Sequence, residues 1–331
     1  MEETNYTVLP SGFTPETFEE RKDIRRRARA AVIPAIILMA VSFLWASIYY
    51  AVMGTLGFDA MRAYEIIREP ATLTFSSILI SIFVFTVPFI FSAIIMGQRV
   101  GDLVPFEKPR KKTALPYFLF GLGFCAFANV STSYAGSIFE SMGINYSVDT
   151  GDSPEGFFGF MLSLIGTVAV PALCEEFACR GIMFGFLKKY GDAFAIITTS
   201  ALFGLIHGNF IQIPFAFLVG LVLGLVRVKT GSIWVCAAIH GANNLVSVIF
   251  DYMPSGITTA MQNVMYTVYL VACMLIAVVG ILLLKGEKDE FCLTPPCHAC
   301  TAKQKYKWFF TSAFVIVLAV ICFVESLAFF K

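Results

Sequence analysis

Nine apolar stretches, each near the length of a membrane crossing, constrain this chain more than any other feature. A helix rises about 1.5 Å per residue, so a hydrocarbon core of about 30 Å needs about 20 apolar residues. The pattern predicts an all-α polytopic membrane protein with about eight to nine transmembrane helices. The stretches are 31–54, 72–97, 114–139, 157–174, 192–208, 210–226, 232–250, 263–284 and 308–330.

The composition agrees with this class. Of the 331 residues, 57% are hydrophobic and 14% are charged, which is far from the usage of soluble globular proteins. The net charge of +1 gives no reason to expect a nucleic-acid partner. We therefore expect the lipid bilayer to be the surrounding medium.

The placement of basic residues predicts the orientation. If the nine stretches are threaded from a cytoplasmic N-terminus, the outside segments hold only Arg62, Arg68 and Lys331 of the 24 Lys and Arg residues. Lys and Arg accumulate in cytoplasmic loops. We expect a multi-pass protein of the cell membrane with its N-terminus in the cytoplasm and its C-terminus outside.

The chain divides into four predicted segments. Residues 1–30 form a charged cytoplasmic segment, and residues 31–156 form the first transmembrane helices. The central segment, residues 157–250, carries the polar motifs described next. Its part from Phe157 to Lys189 is also compatible with one long tilted helix that is kinked at Pro171. Residues 251–331 form the last transmembrane helices, with a Cys-rich loop at 285–307.

Two carboxylates and one arginine lie in a run that otherwise resembles a buried membrane helix. An ionised side chain at mid-bilayer costs about 2.5–3.5 kcal/mol, so such residues call for a functional explanation. Glu176 and Arg180 are four residues apart and can pair on one helix face, whereas Glu175 points elsewhere. The unpaired Glu175 suits a general base. An interhelical structural network and a helix end emerging into the cytosol are the alternatives.

Histidines occur in two of the following apolar stretches. The chain has only three His residues, and His207 and His240 both lie in predicted spans downstream of the glutamates. His240 and Asn244 are four residues apart and share a helix face, while Asn243 is expected to point away by about 100°. A histidine in an apolar helix is often a packing residue, but two of them after a Glu pair favour a functional site.

Three short motifs follow one another in the central segment: Glu175-Glu176-x-x-x-Arg180, Phe203-x-x-x-His207 and His240-x-x-x-Asn244. Together they resemble the motifs of the CAAX prenyl protease 2 and bacteriocin-processing (CPBP, or Abi) family of intramembrane proteases. No motif position departs from the family pattern. The resemblance covers residues 157–250 and implies that this segment is the catalytic core.

The resemblance implies a glutamate-dependent endopeptidase acting on a membrane-associated peptide or protein. Glu175 and His207 would polarise a water molecule for attack on the scissile carbonyl. His240 and Asn244 would donate hydrogen bonds to the developing oxyanion, a contribution of a few kcal/mol. Glu176 and Arg180 would hold the helix around the base, as supporting residues and not as catalytic ones.

Other chemistries remain open at this point. There is no His-Glu-x-x-His motif, but Glu175, His207 and His240 could supply a His₂Glu zinc set. The preferred mechanism requires no cofactor, and zinc is the alternative. Cys174 beside the glutamates and Ser200 near His207 lack the context of a nucleophile.

A second group of possible ligands lies in the Cys-rich loop. Cys292, Cys297, His298 and Cys300 are suitable zinc or redox ligands, but their spacing matches no standard zinc pattern. A reduced cytosolic loop is the simpler interpretation. Glu325, in the last apolar stretch, is a further intramembrane acid for which the sequence indicates no partner.

Two other functions are compatible with parts of this pattern. One is a non-catalytic membrane protein of the same fold, acting in bacteriocin immunity or in partner binding. The other is a proton-coupled transporter that uses Glu175 and the two histidines as a relay. The sequence shows no pair of interrupted helices in matching halves, which a transporter would favour. It gives no indication of oligomeric state.

Overall fold

The described part of the chain folds as a bundle of twelve helices. The computed structural model describes residues 13–146, 152–254, 256–285, 293 and 299–330, and these contain no β-strand beyond one isolated bridge. The all-α prediction is therefore confirmed. The helices are α1 (Pro15–Thr55), α2 (Ala60–Arg68), α3 (Pro70–Ile95), α4 (Val100–Leu103), α5 (Lys111–Ser141), α6 (Gly156–Tyr190), α7 (Asp192–Leu205), α8 (Gln212–Thr230), α9 (Ile233–Asp251), α10 (Thr259–Leu284), α11 (Ala302–Phe310) and α12 (Ala313–Leu327).

Seven of these helices are long and apolar enough to cross a membrane, namely α1, α3, α5, α6, α8, α9 and α10. The consecutive helices α11 and α12 add an eighth span if the pair, bent by 58°, is counted as one. The stretch 308–330 is thus not one straight helix. The predicted stretch 192–208 is α7, whose 14 residues rise only about 21 Å. The protein is multi-pass, with seven or eight such spans among the described residues.

Helix α6 is longer than its apolar stretch predicted. The boundary at residue 174 is wrong, because α6 runs for 35 residues to Tyr190. Two π-helical segments interrupt it, Leu164–Ala169 and Phe177–Met183. The first directly precedes the turn that contains Pro171, whose ring and missing N–H disturb a regular α-helical ladder. A π-turn absorbs such a disturbance without ending the helix.

Helix α1 joins the charged N-terminal segment to the first membrane stretch without a break. Thr14 caps it in a reciprocal hydrogen-bonded pair with Thr17. Pro34, inside the helix, cannot donate to the carbonyl of Ala30. The hydroxyl of Ser92 in α3 donates to that carbonyl instead, at 2.5 Å. This bond links α1 to α3 at the point where the proline would leave a polar group unsatisfied.

One end of the bundle, here called the basic end, is defined by contacts around Tyr190. The Tyr190 hydroxyl donates to Asp23 at 2.6 Å, and Lys305 donates to the Tyr190 carbonyl at 3.1 Å. The Glu20 carboxylate accepts from the backbone N–H of Cys300 at 2.8 Å. These bonds bring the charged part of α1, the end of α6 and the start of α11 together.

The opposite end, here called the Tyr146 end, is marked by aromatic packing. Tyr146 forms an isolated bridge with Phe330, and its hydroxyl accepts from the backbone N–H of Phe210 at 2.9 Å. Helix α7 lies between Tyr190 at the basic end and Phe210 at the Tyr146 end. It therefore crosses the bundle from one end to the other despite its short length.

Close packing of α7 against α8 fixes the helices that carry the site. A Cβ atom at Gly220 would lie 2.8 Å from Cα of Ser200, so only glycine allows this approach. The Ser200 hydroxyl is itself bonded to the carbonyl of Ile196 at 2.6 Å. Small residues at such contacts let membrane helices pack closely.

Candidate active site

The two glutamates lie between the two π-helical segments of α6. Glu175 and Glu176 end the regular stretch Val170–Glu176, and the second π segment starts at the next residue. π-bulges are rare and occur frequently at functional sites. Glu175 lies about 28 Å along the helix from its start at Gly156, which places it near the middle of α6.

Glu176 and Arg180 form the ion pair that their spacing predicts. Arg180 Nη1 lies 2.8 Å from Glu176 Oε1, and both side chains are buried. The guanidinium also lies over the ring of Phe203, 4.2 Å from its centroid. A cation–π contact of this kind is stronger where water is excluded. Arg180 thus joins the first motif to the helix that carries the second.

A contact that the sequence did not predict links Glu176 to His240. His240 Nδ1 lies 2.9 Å from Glu176 Oε1, so one carboxylate oxygen serves both Arg180 and His240. Since a carboxylate only accepts, Nδ1 carries a proton and donates it to Glu176. In a neutral imidazole, Nε2 then has a lone pair, and it becomes a donor only when His240 carries both protons.

Glu175 is held differently from its neighbour. Its side chain is 16% exposed, and it makes no hydrogen bond within the part of the chain that the structure describes. Its Oε2 lies 3.9 Å from His240 Nε2, which is too long for a direct hydrogen bond. Polar groups at such a separation can share a bridging water molecule. Glu176 is therefore tied to two partners, while the Glu175 carboxylate faces the space beside His240.

His207 lies just after the end of α7, and its orientation is set by its own helix. Its Nδ1 is 2.7 Å from the carbonyl of Phe203 and donates to it. The other ring nitrogen, Nε2, is left with its lone pair in a neutral ring. Gly208, with φ of +63°, then turns the chain out of the helix. His207 is thus oriented as a proton acceptor.

Asn244 takes part in a chain of three side-chain amides. Asn129 Nδ2 donates to the carbonyl of Cys125 at 3.2 Å and to Asn243 Oδ1 at 2.9 Å. Asn243 Nδ2 lies 3.5 Å from Asn244 Oδ1, and Asn244 Nδ2 donates to the carbonyl of Thr167 at 3.0 Å. At both ends of this chain of amides, an Nδ2 group donates to a backbone carbonyl, which can only accept. The nitrogen and oxygen of each amide are therefore assigned in one consistent way.

The four predicted catalytic side chains line one cavity of about 710 Å³. They are Glu175, His207, His240 and Asn244. A larger recess, of about 960 Å³, lies at the basic end and contains none of them. Helices α6, α7 and α9 thus bring together at one point residues that are up to 69 positions apart in the sequence, counting from Glu175 to Asn244.

The same cavity contains residues that were missed. Asn243, expected to point away, lines it together with Asn244, and Asn129 reaches it from α5. A polar amide inside the apolar stretch 114–139 was a usable signal for Asn129, since such residues are uncommon within membrane spans. Gln212 and Asp251 also line the cavity, and nothing in their spacing indicated it.

The residues of the zinc alternative are not placed close enough together to form a ready metal site. Among the described residues, no group of three or more His, Cys, Asp or Glu side chains is placed so that it could hold a metal ion. This applies to the set Glu175, His207 and His240. Nδ1 of each histidine faces a protein acceptor, the Phe203 carbonyl in one case and the Glu176 carboxylate in the other, and such contacts are also usual for metal-binding histidines.

The other candidate groups lie apart from this chemistry. Of the Cys-rich loop, Cys292, Cys297 and His298 lie outside the described residues. Cys300 is buried, and burial together with the Glu20 carboxylate raises the pKa of its thiol to about 12. It is therefore a protonated thiol near neutral pH. Cys174 lies half-buried next to Glu175 and does not line the cavity.

Glu325, for which no partner was predicted, lies against the turn after His207. A Cβ atom at Gly208 would be 2.7 Å from Glu325 Oε2. The neighbouring Ser326 hydroxyl donates to the Gly208 carbonyl at 3.1 Å. Helix α12 thus packs directly on the turn that positions His207.

The fold and the cavity define a multi-pass membrane protein with a site of carboxylate and histidine side chains among its helices. Residues 157–246 match the family described as type II CAAX prenyl endopeptidase Rce1-like. The match covers 90 of the 331 residues and contains all three motifs, so the central segment is similar to the CPBP/CAAX protease family. No curated protein and no solved structure matches the chain.

Proposed function

We propose that the protein is an intramembrane endopeptidase that hydrolyses a peptide bond with a water molecule activated by Glu175 and His207. The observation that carries this proposal is the convergence of Glu175, His207, His240 and Asn244 on one cavity. The Glu175 carboxylate, which has no hydrogen-bonding partner among the described residues, and an imidazole oriented as an acceptor are suitable groups for removing a proton from water. The proposed mechanism requires no metal or other cofactor.

Water activation is assigned to Glu175. Its carboxylate takes a proton from the water molecule as the oxygen attacks the scissile carbonyl carbon. His207, with Nε2 as an acceptor, holds the second hydrogen of that water and aligns it. The proton on Glu175 then moves to the leaving amine, so that the peptide bond breaks and the carboxylate is regenerated.

Stabilisation of the oxyanion is assigned to Asn244 and His240. Asn244 Nδ2 uses one hydrogen on the Thr167 carbonyl and keeps the second for the developing charge. His240 donates from Nε2 when its ring carries both protons. Two carboxylates and one arginine surround that ring, so an imidazolium brings the charge of the group to zero. Removing one oxyanion donor typically lowers kcat by about 10²–10³-fold.

Glu176 and Arg180 are positioning residues in this scheme. Glu176 fixes the proton of His240 on Nδ1, and Arg180 keeps the Glu176 carboxylate in place. Preorganised support of this kind determines how well the reacting groups stay aligned. Neither residue touches the substrate.

The setting of the reaction follows from the placement of charge. We propose a protein of the cell membrane with a cytoplasmic N-terminus, because the segments assigned to the cytoplasmic side carry most of the Lys and Arg residues. Its partners are the bilayer and a membrane-associated peptide or protein, with no nucleic acid involved. Bacteriocin immunity and leader-peptide removal are both compatible with such an activity.

The direct test is cleavage of membrane peptides by the purified full-length protein in nanodiscs. Glu175→Gln and His207→Ala should abolish cleavage while the variants remain folded and inserted. Cys174→Ser, a matched change beside the base, should retain activity. Full activity in either of the first two variants would contradict the mechanism and favour a non-catalytic role. Activity that is lost on exhaustive chelation and restored by zinc would replace it by a metal mechanism.

A further inference from the structure

An apolar groove of about 620 Å³ lies between α1 and α3, on the outside of the bundle, and shares no lining residue with the catalytic cavity. On α3 its lining extends over 13 positions, from Phe83 to Met96, which is about 20 Å and more than half of a hydrocarbon core of about 30 Å. The groove is therefore long enough for a lipid tail in one leaflet. Much of its wall is exposed and apolar, including Ile33, Ile37, Phe83, Phe91 and Ile95.

Two arginines form the end of this groove at the basic end of the bundle. Arg26 and Arg29 line the groove, and none of its described lining residues is Asp or Glu. Together with Phe314 of α12, both arginines also line the recess of about 960 Å³ at the basic end. The apolar groove and the polar recess therefore meet at these three residues. A ligand with an anionic head and a hydrocarbon tail matches this succession of surfaces.

The recess contains acids as well as bases, and the bases are in excess. Three cations share one carboxylate, since Asp23 lies 2.9–3.0 Å from Arg26, Arg27 and Lys189. This group alone has two more positive charges than negative ones. Glu19 pairs with Lys22 at 2.8 Å, so these two charges cancel.

The other two acids of the recess do not pair with the remaining arginines. Glu20 accepts from the backbone N–H groups of Ala299 and Cys300. Glu16 lies 13 positions from Arg29, which is about 20 Å along α1. The positive charge near the groove is therefore not neutralised by these acids.

Arg25 and Arg29 lack a counter-charge in the part of the chain that the structure describes. Neither forms an ion pair with a described acid, and Arg25 Nε is buried without a hydrogen-bond partner there. A buried N–H group without an acceptor is unfavourable. Arg25, Arg26 and Arg29 are three or four residues apart or adjacent, so they lie on neighbouring parts of the α1 surface. Guanidinium groups so placed can bind the oxygens of one phosphate.

From the groove and the charges at its end we infer that α1 and α3 bind one anionic phospholipid. Its phosphate lies at Arg25, Arg26 and Arg29, and one of its acyl chains lies in the groove. Basic pockets at the ends of membrane helices recognise anionic head groups in this way. Because α12 also borders the recess, the bound lipid connects the first two spans to the last helix. This inference does not depend on the proposed function, since neither the groove nor the recess contains a catalytic residue.

The head-group contact is tested with the purified full-length protein in detergent, freed of endogenous lipid. The protein is incubated with phosphatidylglycerol or phosphatidylcholine of the same acyl chains, and native mass spectrometry counts the lipids that remain bound. One phosphatidylglycerol should bind with a Kd about tenfold or more below that of phosphatidylcholine. Arg29→Gln should remove most of this preference, and Arg26→Gln/Arg29→Gln should remove it fully. Arg99→Gln, exposed just after α3 and outside both recesses, is the matched control and should keep it.

The tail contact is tested by filling the groove without changing its charge. Val87→Trp places a bulky side chain in the groove and should weaken phosphatidylglycerol binding by about fivefold or more. Ile82→Trp, exposed on α3 outside the groove, should bind the lipid as the unmodified protein does. Thermal unfolding shows whether each variant is folded.

Three results would overturn the inference. Equal binding of the two lipids, or an equal loss in Arg99→Gln and Arg29→Gln, would reduce the groove to an ordinary contact with bulk lipid. An unchanged affinity in Val87→Trp would contradict the place of the tail. Displacement of phosphatidylglycerol by inorganic phosphate at a similar concentration would show a simple anion site that does not use the groove.

Discussion

His240 Nδ1 and Glu176 Oε1 lie 2.9 Å apart although the two residues are 64 positions apart in the sequence. The same carboxylate oxygen accepts from Arg180 at 2.8 Å. The first and third motifs are thus joined by one hydrogen-bonded group. This arrangement sets which nitrogen of His240 carries a proton, and so determines what the other nitrogen can do in the cavity.

Replacing Glu176 should affect both stability and cleavage. Glu176→Ala should lower the free energy of unfolding by about 3–5 kcal/mol, because it leaves the buried Arg180 without its counter-charge. It should also reduce cleavage, since His240 loses its acceptor. Thermal unfolding and cleavage rates in nanodiscs measure the two effects. The double variant Glu176→Ala/Arg180→Met should recover part of the stability but not the activity. Unchanged stability and unchanged cleavage in Glu176→Ala would contradict the pairing.

The turn after His207 should tolerate only glycine at position 208. Gly208→Ala should lower the free energy of unfolding by about 1–2 kcal/mol, because φ is positive at this position. The loss should be larger than that, because the added Cβ atom would also clash with Glu325. Gly231 has nearly the same φ, +67°, with nothing within 4 Å of a built Cβ, so Gly231→Ala should show the backbone cost alone in thermal unfolding. Adding Glu325→Ala to Gly208→Ala should restore part of the loss. Equal effects of the two glycine variants would be evidence against the contact.

The amide chain should matter for the rate of cleavage. Asn129→Leu should lower kcat by about tenfold to hundredfold, because Asn243 and Asn244 lose their fixed orientation. Ser131→Ala, two residues further along α5, removes a hydroxyl bonded to its own helix and should be neutral. Cleavage kinetics measure both. An Asn129→Leu enzyme with an unchanged kcat would show that the amide chain does not position Asn244.

The orientation in the membrane can be measured by labelling introduced cysteines. A membrane-impermeant thiol reagent applied to intact cells should label Ser153→Cys, exposed in the loop before α6 at the Tyr146 end. It should label Lys108→Cys, exposed before α5, only after the cells are opened. The unmodified protein gives the background from its own cysteines. The reverse pattern would place the basic end outside and contradict the positive-inside assignment.

Sequence reasoning predicted what depends on local spacing. The membrane stretches follow from apolar runs, and the Glu176–Arg180 pair follows from a four-residue separation on a helix. The same geometry separated Glu175 from Glu176. These features need only the geometry of one helix, so no knowledge of neighbouring helices is required.

What the sequence did not predict depends on contacts between helices or on irregular backbone. The bond between Glu176 and His240 requires α6 and α9 to pack in one particular register. Asn243 was expected to face away, but it lines the cavity and accepts a hydrogen bond from Asn129 of α5. The π segments of α6 shift side-chain directions from their α-helical values, which a regular 3.6-residue period does not anticipate.

The assignment of Glu175 as the base of an intramembrane endopeptidase is tested most directly by mapping new peptide termini in membranes. Cells carrying the unmodified protein are compared with cells carrying Glu175→Gln at equal protein levels. We expect a set of cleaved membrane peptides that is present with the unmodified protein, absent with the variant, and restored when the glutamate is put back. Identical termini at equal abundance in both strains would contradict the assignment.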